Sequence, residues 1–149
     1  IDLLSLDIDG VDYWVWEALT SIEPRVVVVE YIPALGEASL TVPYADDFKT
    51  EWVPIDLPAG EKLSKDDGYF SRWSIYGGAS LAAFNKLAKR KGYRLIGTNS
   101  LGFNAFFMRD DVGLDFFPEV SIASCSNPYY QKRFAAQWEK IRNKPWQEV

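Results

Sequence analysis

Three carboxylates occupy positions at which α/β proteins commonly bind their ligands. One apolar segment ends in the tetrapeptide Asp-Ile-Asp-Gly at residues 7–10, and a second, beginning at Arg25, ends in Glu30. Continuous apolar runs of this kind are typical of parallel strands covered on both faces. Ligands of open α/β sheets bind just beyond the carboxyl ends of such strands. We therefore expect Asp7, Asp9 and Glu30 to share one solvent-accessible cleft and to carry the chemistry.

The same carboxylates support three different interpretations. Adjacent strands lie about 4.8 Å apart, and oxygen ligands favour magnesium or calcium over zinc, so Asp7, Asp9 and Glu30 form a candidate metal site. Alternatively, Asp7 or Asp9 acts without metal as a general base that takes a proton from a substrate hydroxyl. In the structural interpretation, Asp9 or Asp12 caps the first helix and Gly10 supplies the tight turn. The sequence leaves all three open.

Two residue types exclude much familiar chemistry. The chain contains no histidine, which excludes Ser-His-Asp and Cys-His catalysis, histidine bases and the usual zinc sites. The single cysteine, Cys125, excludes an internal disulfide and a cysteine-rich zinc site. A lone thiol of this kind is typical of a reduced, cytoplasmic protein. Carboxylates, Tyr, Lys, Arg, a cofactor or a metal must supply any reactivity.

The charge and hydropathy of the chain limit the kinds of partner that it can bind. The 149 residues carry a formal net charge of −5, from 16 basic and 21 acidic residues, without a dense basic block, which argues against nucleic acid. The basic cluster at 86–91 falls at the end of a predicted helix, where cations complement the helix dipole. No apolar run approaches the roughly 18 residues of a membrane span. These features indicate one soluble globular domain whose partners do not include nucleic acid or a membrane.

The elements that position the carboxylates follow from apolar periodicity. We predict a strand at 3–7, a helix at 12–20, and a strand at 25–31, which together form a βαβ unit. The helix should bury the face formed by Val11, Trp14, Val15, Ala18 and Leu19. A helix at 81–91 follows, capped by Ser80 and ended by Gly92, then strands at 93–97 and 105–109, and a C-terminal helix at 127–143.

A long excursion at 32–79 separates these two parts. Prolines and glycines interrupt every period there, and a connection of this length is functional, interfacial or disordered. Its aromatic residues argue against disorder: Trp52, Tyr69, Phe70, Trp73 and Tyr76. We expect an ordered excursion that covers a cleft or a partner.

The predicted fold is one domain spanning 1–149, with three parallel strands and an antiparallel hairpin strand at one side. The first strand is as apolar as a central strand, and an apolar strand is poorly suited to an exposed sheet edge. We therefore expect the second half of a larger domain, or a sheet completed by another chain. The aromatic-rich part of the excursion, without an obvious partner inside the chain, likewise favours a homodimer.

The order β-α-β-α-β-β, with the last strand turning back antiparallel, resembles the C-terminal half of a class I S-adenosylmethionine-dependent methyltransferase. Residues 1–10 and 24–30 resemble the fourth and fifth strands of the FkbM-type enzymes, and residues 92–97 with 104–109 resemble the closing hairpin. The resemblance implies a Rossmann-like fold that transfers a methyl group to a hydroxyl of a small molecule or sugar. It places cofactor contacts at Asp7, Ile8 and Gly10, and a possible magnesium ion at Asp7, Asp9 and Glu30. The family's glycine-rich loop and ribose-binding acid have no counterpart in these residues, so the resemblance implies an incomplete cofactor site.

Two alternative functions remain open. The first is a non-catalytic methyltransferase-fold fragment or assembly module that has lost cofactor binding. The second is a haloacid dehalogenase-like phosphatase, because residues 4–11 match that signature, with Asp7 as nucleophile, Asp9 as acid/base and Asp110–Asp111 as a late magnesium pair. Against the phosphatase, its Ser/Thr strand end and lysine are missing, and the helix after Gly10 leaves no room for a flap.

A possible anion site lies elsewhere in the chain, at residues 76–80. This glycine-containing segment precedes a predicted helix, whose N-terminus could cradle an anion. An ordinary flexible entry into the helix is the preferred interpretation.

Overall fold

The computed structural model describes residues 1–55, 73–125 and 131–149, without the side chains of 131–133. Eight strands and three α-helices lie within these ranges. They are β1 (Leu3–Leu6), α1 (Asp12–Ala18), β2 (Val26–Glu30), β3 (Leu40–Thr41), β4 (Glu51–Pro54), β5 (Trp73–Tyr76), α2 (Leu81–Arg90), β6 (Tyr93–Thr98), β7 (Asn104–Arg109), α3 (Gln131–Ile141) and β8 (Gln147–Glu148). Predictions for Tyr69, Phe70 and the first residues of the C-terminal helix, 127–130, lie outside the described residues.

The main sheet is mixed, with strand order β1-β2-β7-β6. β1 and β2 are parallel, and β7 runs antiparallel to both β2 and β6. A mixed α/β architecture is thus confirmed, but the antiparallel strand lies inside the sheet rather than at its side. Both strands of the hairpin contribute to the interior, β7 with the buried Ala105, Phe107 and Met108 and β6 with the buried Tyr93, Arg94 and Leu95.

Helices α1 and α2 cover one face of this sheet. The main core contains sheet residues and helix residues in contact, among them Leu6, Val27, Val29, Leu95, Phe107, Tyr13, Trp16, Phe84 and Leu87. The predicted inward face of α1 is wrong, because the helix buries Tyr13 and Trp16 while Val15 is exposed. Four bulky apolar residues in succession, at 13–16, give periodicity little power to choose a face, and the rings of Tyr13 and Trp16, at i and i+3, are the ones buried.

The opposite face of the sheet is only partly covered, contrary to the prediction of two covered faces. Leu3 is 58% exposed, and its neighbours across the sheet on this face, Val26 and Val28, are half-buried. The segment at 110–118 covers the far end, where Met108 is buried close to Phe117 and Gly113. The uncovered part is the side of β1, which pairs only with β2 among the described residues.

A buried arginine holds the covering segment in place. Arg94 is 2% exposed, and its guanidinium donates hydrogen bonds to the backbone carbonyls of Arg109, Val112 and Phe117 at 2.6–3.0 Å. Three well-placed carbonyl acceptors satisfy a charge that would otherwise be costly to bury. The segment after β7 is therefore fixed to β6 by one side chain.

The described parts of the excursion form a second layer, which confirms an ordered excursion over those residues. β4 and β5 make an antiparallel hairpin, and β3 pairs with β8 near the C-terminus. Tyr76 packs against Phe48 and Trp146, with ring centroids 5.7 and 5.0 Å apart. The expectation that this aromatic segment lacks an intramolecular partner is wrong for Tyr76.

Helix α2 begins and ends as predicted. The Ser80 hydroxyl accepts a hydrogen bond from the Ala83 amide at 3.0 Å, and Gly92 follows the helix with a φ of +77°. Its basic residues are engaged within the chain: Lys89 pairs with Glu119, and Arg90 with Glu17. Among the described residues, no helix combines the length and the apolar character needed to cross a membrane.

Candidate functional site

The structure brings Asp7, Asp9 and Glu30 together, as predicted. One carboxylate oxygen of each residue lies within 4.8 Å of those of the other two. Asp7 and Asp9 are exposed and Glu30 is half-buried, so the group is open to solvent on one side. The convergence is confirmed, whereas the catalytic and metal-binding roles of these residues remain predictions.

The parallel pairing of β1 and β2 explains how Asp7 and Glu30 meet. The strands are in register as far as Leu6 and Val29, so the next residue of each strand lies beside the other. Alternation then places both carboxylates on the face opposite the helices, since Leu6 and Val29 point into the core. Two like charges are brought together at the sheet end by register alone.

Asp9 reaches the same point because the chain turns sharply after β1. Its φ of +55° is the one positive value of a non-glycine residue in the described ranges. Aspartate tolerates this left-handed conformation better than most residues. The turn predicted for Gly10 is therefore made by Asp9, and Gly10 itself has no positive φ.

Asp12 shapes the loop and does not cap the helix. Its buried carboxylate accepts hydrogen bonds from the amides of Ile8 and Gly10, both at 2.9 Å, and these residues precede the helix. Val11 is the N-cap residue of α1 and makes no side-chain cap. The capping interpretation of Asp9 or Asp12 is therefore wrong. The available signal was an aspartate inside an apolar segment, which is buried only when its oxygens are satisfied.

The predicted cofactor contacts have different surroundings. Gly10 is buried, its amide is used by Asp12, and its carbonyl accepts a hydrogen bond from the Gly78 amide at 2.6 Å. Both backbone groups of Gly10 are thus occupied within the chain. The Ile8 side chain is 51% exposed, and Asp7 remains accessible, so these two residues are better placed to contact a ligand.

The electrostatics of the group favour one retained proton. Burial, followed by the charges of Asp7, Asp9 and Asp12, raises the pKa of Glu30 to about 8. Burial, and then the charge of Asp9, also raises the pKa of Asp7, while its hydrogen bond with Glu30 acts in the opposite direction. Glu30 therefore keeps its proton near neutral pH and donates it to the Asp7 carboxylate.

The donor set is suitable for a hard divalent cation. Three carboxylate oxygens can offset two positive charges, and the described residues of the group include no nitrogen or sulfur ligand that would select zinc. Opposite ligands of calcium are about 4.6 to 5.2 Å apart, and those of magnesium about 4.0 to 4.2 Å. The three oxygens all lie within 4.8 Å of one another, which is close enough for them to share one such ion.

The positions of Asp110 and Asp111 do not fit the second acidic pair that the phosphatase interpretation requires. Asp110 and Asp111 follow β7, which is antiparallel to β2, and the Arg109 amide donates to the carbonyl of Arg25 at the start of β2. These aspartates therefore lie at the opposite end of the sheet from Asp7. Asp111 is instead paired with Arg109, at 2.6 Å.

The segment at 76–80 does not form an anion site. Gly77, Gly78, Ala79 and Ser80 are buried, and the Ser80 side chain already binds the amide of Ala83. The Gly78 and Ser80 amides donate to the carbonyls of Gly10 and Leu40. The preferred interpretation of an ordinary helix entry holds, although the entry is firmly bonded to its surroundings.

An asparagine loop lies beside the carboxylates. Asn104 is the cross-strand neighbour of Glu30, and the Asn99 side chain donates to its Oδ1 at 3.0 Å. The Asn99 Oδ1 accepts from the amides of Gly102, Phe103 and Asn104. Asn99 thus has a turn role typical of asparagine, and it fixes the loop that adjoins the site.

Comparison with family models, with curated proteins and with solved structures finds no match to this chain.

Proposed function

We propose that this chain belongs to an FkbM-like, S-adenosylmethionine-dependent O-methyltransferase that acts on a hydroxyl of a small molecule or sugar. The observation that carries the proposal is the convergence of Asp7, Asp9 and Glu30 at the carboxyl ends of adjacent parallel strands. The closing hairpin of β6 and β7, with its last strand antiparallel, also supports it. A single reduced thiol, Cys125, agrees with a cytoplasmic protein.

The carboxylates suit transfer to an oxygen nucleophile. A hydroxyl must lose its proton as it attacks a methyl group, and a carboxylate within hydrogen-bond reach is able to accept that proton. A bound magnesium or calcium ion would hold the hydroxyl and lower its pKa. Asp7 and Asp9 are the accessible members for either role, while Glu30, half-buried below them, tunes their charge.

Metal binding provides the first test. We expect titration calorimetry to detect magnesium or calcium binding to the wild-type chain, and Asp9→Asn to weaken it by about tenfold or more, since one of three ligands is lost. Asp115→Asn is the matched control, because Asp115 is exposed in the segment that follows β7 at the other sheet end. A wild-type chain that binds neither cation at millimolar concentration would contradict the metal site and leave the general-base mechanism.

Cofactor binding provides the second test. We expect the 149-residue chain to bind S-adenosylmethionine weakly or not at all, since the glycine-rich loop and ribose-binding acid of the family have no counterpart in it. Calorimetry with the cofactor checks this expectation, and a micromolar dissociation constant would contradict it. Methyl transfer to sugar and phenolic hydroxyls, assayed at millimolar cofactor with magnesium, tests the activity directly.

The alternative function is a non-catalytic fragment or assembly module of the same fold. The observation in its favour is Gly10, whose amide and carbonyl are both bonded within the chain and so offer nothing to a cofactor. This alternative predicts neither cation nor cofactor binding at millimolar concentration. Detectable binding of either would count against it.

A further inference from the structure

The carboxylate loop, residues 7–10, is held from two sides. On the helix side, Asp12 binds the amides of Ile8 and Gly10, which flank Asp9. On the other side, the chain leaving β5 passes against the loop, where the Gly78 amide donates to the Gly10 carbonyl at 2.6 Å. Asp9, whose backbone is left-handed, thus lies in a loop that is hydrogen-bonded to helix α1 on one side and to the excursion on the other.

The contact on the excursion side is tight at Gly77. A Cβ atom at this position would lie 3.1 Å from the Asp9 carbonyl oxygen and 3.1 Å from the Thr50 methyl carbon, so these neighbours would have to move by a few tenths of an ångström. Gly77 does not have a positive φ, so close approach, and not backbone conformation, disfavours a side chain here. The same closeness recurs at Gly10, where a Cβ would lie 3.3 Å from the Phe48 ring.

The turn that contains Gly77 and Gly78 is itself rigidly attached. The Gly78 carbonyl accepts from the Val42 amide at 3.1 Å, and the Ala79 carbonyl from the Ile32 amide at 2.9 Å. Thr41 also bridges to Ala79. All these partners belong to the excursion or its flanks. The turn is therefore held by the excursion in a fixed position against the carboxylate loop.

We infer that the Gly77–Gly78 turn is the positioning element of the proposed site, which sets the placement of the Asp9 carboxylate through backbone contact with the loop. The excursion supplies none of the three carboxylates, yet it determines where one of them points. The inference rests on the proposed function for its catalytic meaning, while the mechanical coupling stands on the contacts alone.

The test substitutes Gly77→Ala and follows the loop and the metal separately. We expect the amide NMR resonances of Ile8 and Gly10 to shift, because the new methyl group displaces the Asp9 carbonyl. Magnesium or calcium affinity should fall by about tenfold, the usual effect of losing support behind a ligand. Gly36→Ala is the control: it strains a φ of +59° but meets no atom within 4 Å, so it should lower stability without these changes.

A second variant guards against a chain that fails to fold. Thr50→Ser combined with Gly77→Ala removes the methyl contact but keeps the contacts with Asp9 and with the hydroxyl of residue 50, so part of the stability should recover while the loop shifts and the weaker cation affinity persist. Unchanged Ile8 and Gly10 resonances in both variants would overturn the inference. If the wild type binds no cation, the proposed metal role fails, and the resonances alone decide the coupling.

Discussion

At the residue scale, Glu30 is the carboxyl whose titration should be visible in the stability of the protein. Its pKa is raised in the folded state to about 8, above its ordinary value of 4.5, by burial and by three neighbouring carboxylates. Asp7, Asp9 and Asp12 are the charged groups that raise it, in that order after burial. The folded state therefore binds a proton that the unfolded state releases.

The sign of the pH dependence follows from this difference. The contribution of Glu30 is fully present below about pH 4.5 and is lost as the pH rises through about 8. We expect Glu30→Gln to remove this loss, so that the variant is more stable than wild type at pH 9 by on the order of 1–2 kcal/mol, after allowance for solvent screening. Urea unfolding followed by tryptophan fluorescence at pH 5, 7 and 9 measures it.

The control for this experiment is Glu37→Gln, the same chemical change at an exposed glutamate of the excursion. It should leave the pH dependence of unfolding as in wild type. Equal pH profiles for wild type and Glu30→Gln would show that Glu30 does not retain a proton. Added magnesium should reduce the difference between wild type and variant if the cation occupies the site.

Sequence reasoning was effective for the residues that end strands and weak for those that support them. Asp7 and Glu30 were predictable because their positions follow from strand ends alone. The capping interpretation of Asp9 or Asp12 was wrong, since a sequence cannot show which amides a carboxylate will meet once the chain has turned. Arg94 was not singled out, because a lone arginine in a strand gives no sign that three carbonyls surround it.

At the scale of elements, predictions that depend on local signals and predictions that depend on packing had different outcomes. The βαβ unit and α2 were recovered because apolar runs and a Ser80–Gly92 pair of helix signals define them locally. The predicted position of β7 at the side of the sheet and the predicted buried face of α1 were wrong, because both depend on which surfaces compete for burial. Local sequence signals determine which helices and strands form, and packing determines where those elements lie in the fold.

The segment after β7 gives a testable case of one residue organising an element. Replacing Arg94 by Met keeps the apolar stem but removes all three donors, leaving the carbonyls of Arg109, Val112 and Phe117 without this partner. We expect the free energy of unfolding to fall by about 2–4 kcal/mol. Urea unfolding measures the loss, and limited proteolysis should show faster cleavage between 110 and 118.

Arg25→Met is the matched control for that variant. Arg25 and Asp2 form an ion pair at 3.3 Å with both side chains mostly exposed, so its removal should change stability by less than about 0.5 kcal/mol. Comparable losses in the two variants would contradict the role assigned to Arg94. A large loss without faster cleavage would mean that Arg94 stabilises β6 and not the segment.

At the scale of the whole molecule, the exposed side of β1 predicts self-association. Leu3 is 58% exposed, β1 has no second strand partner among the described residues, and the described excursion pairs with itself and with β8. An apolar edge of this kind favours pairing with another chain. We expect a homodimer that buries this edge, or Trp52 or Trp73 of the hairpin, and Leu3→Lys should weaken it if the edge is used.

Analytical ultracentrifugation at micromolar concentration decides the matter. Phe116→Lys, at an 81% exposed position of the segment after β7, controls for the general effect of adding a charge. A single species of 17.0 kDa for the wild-type chain would contradict self-association. Dissociation by Phe116→Lys but not by Leu3→Lys would move the interface to the other side of the molecule.

The pairing of β3 with β8 affects the order in which these elements can form during synthesis. Leu40 pairs with Glu148 and Thr41 with Gln147, and the Val149 amide donates to the Ser39 carbonyl. β3 therefore cannot pair with β8 until residues 147–149 have been synthesised, whereas β1, α1 and β2 are adjacent in sequence and can pair earlier. The β3–β8 pair of the second layer thus forms later than the βαβ unit.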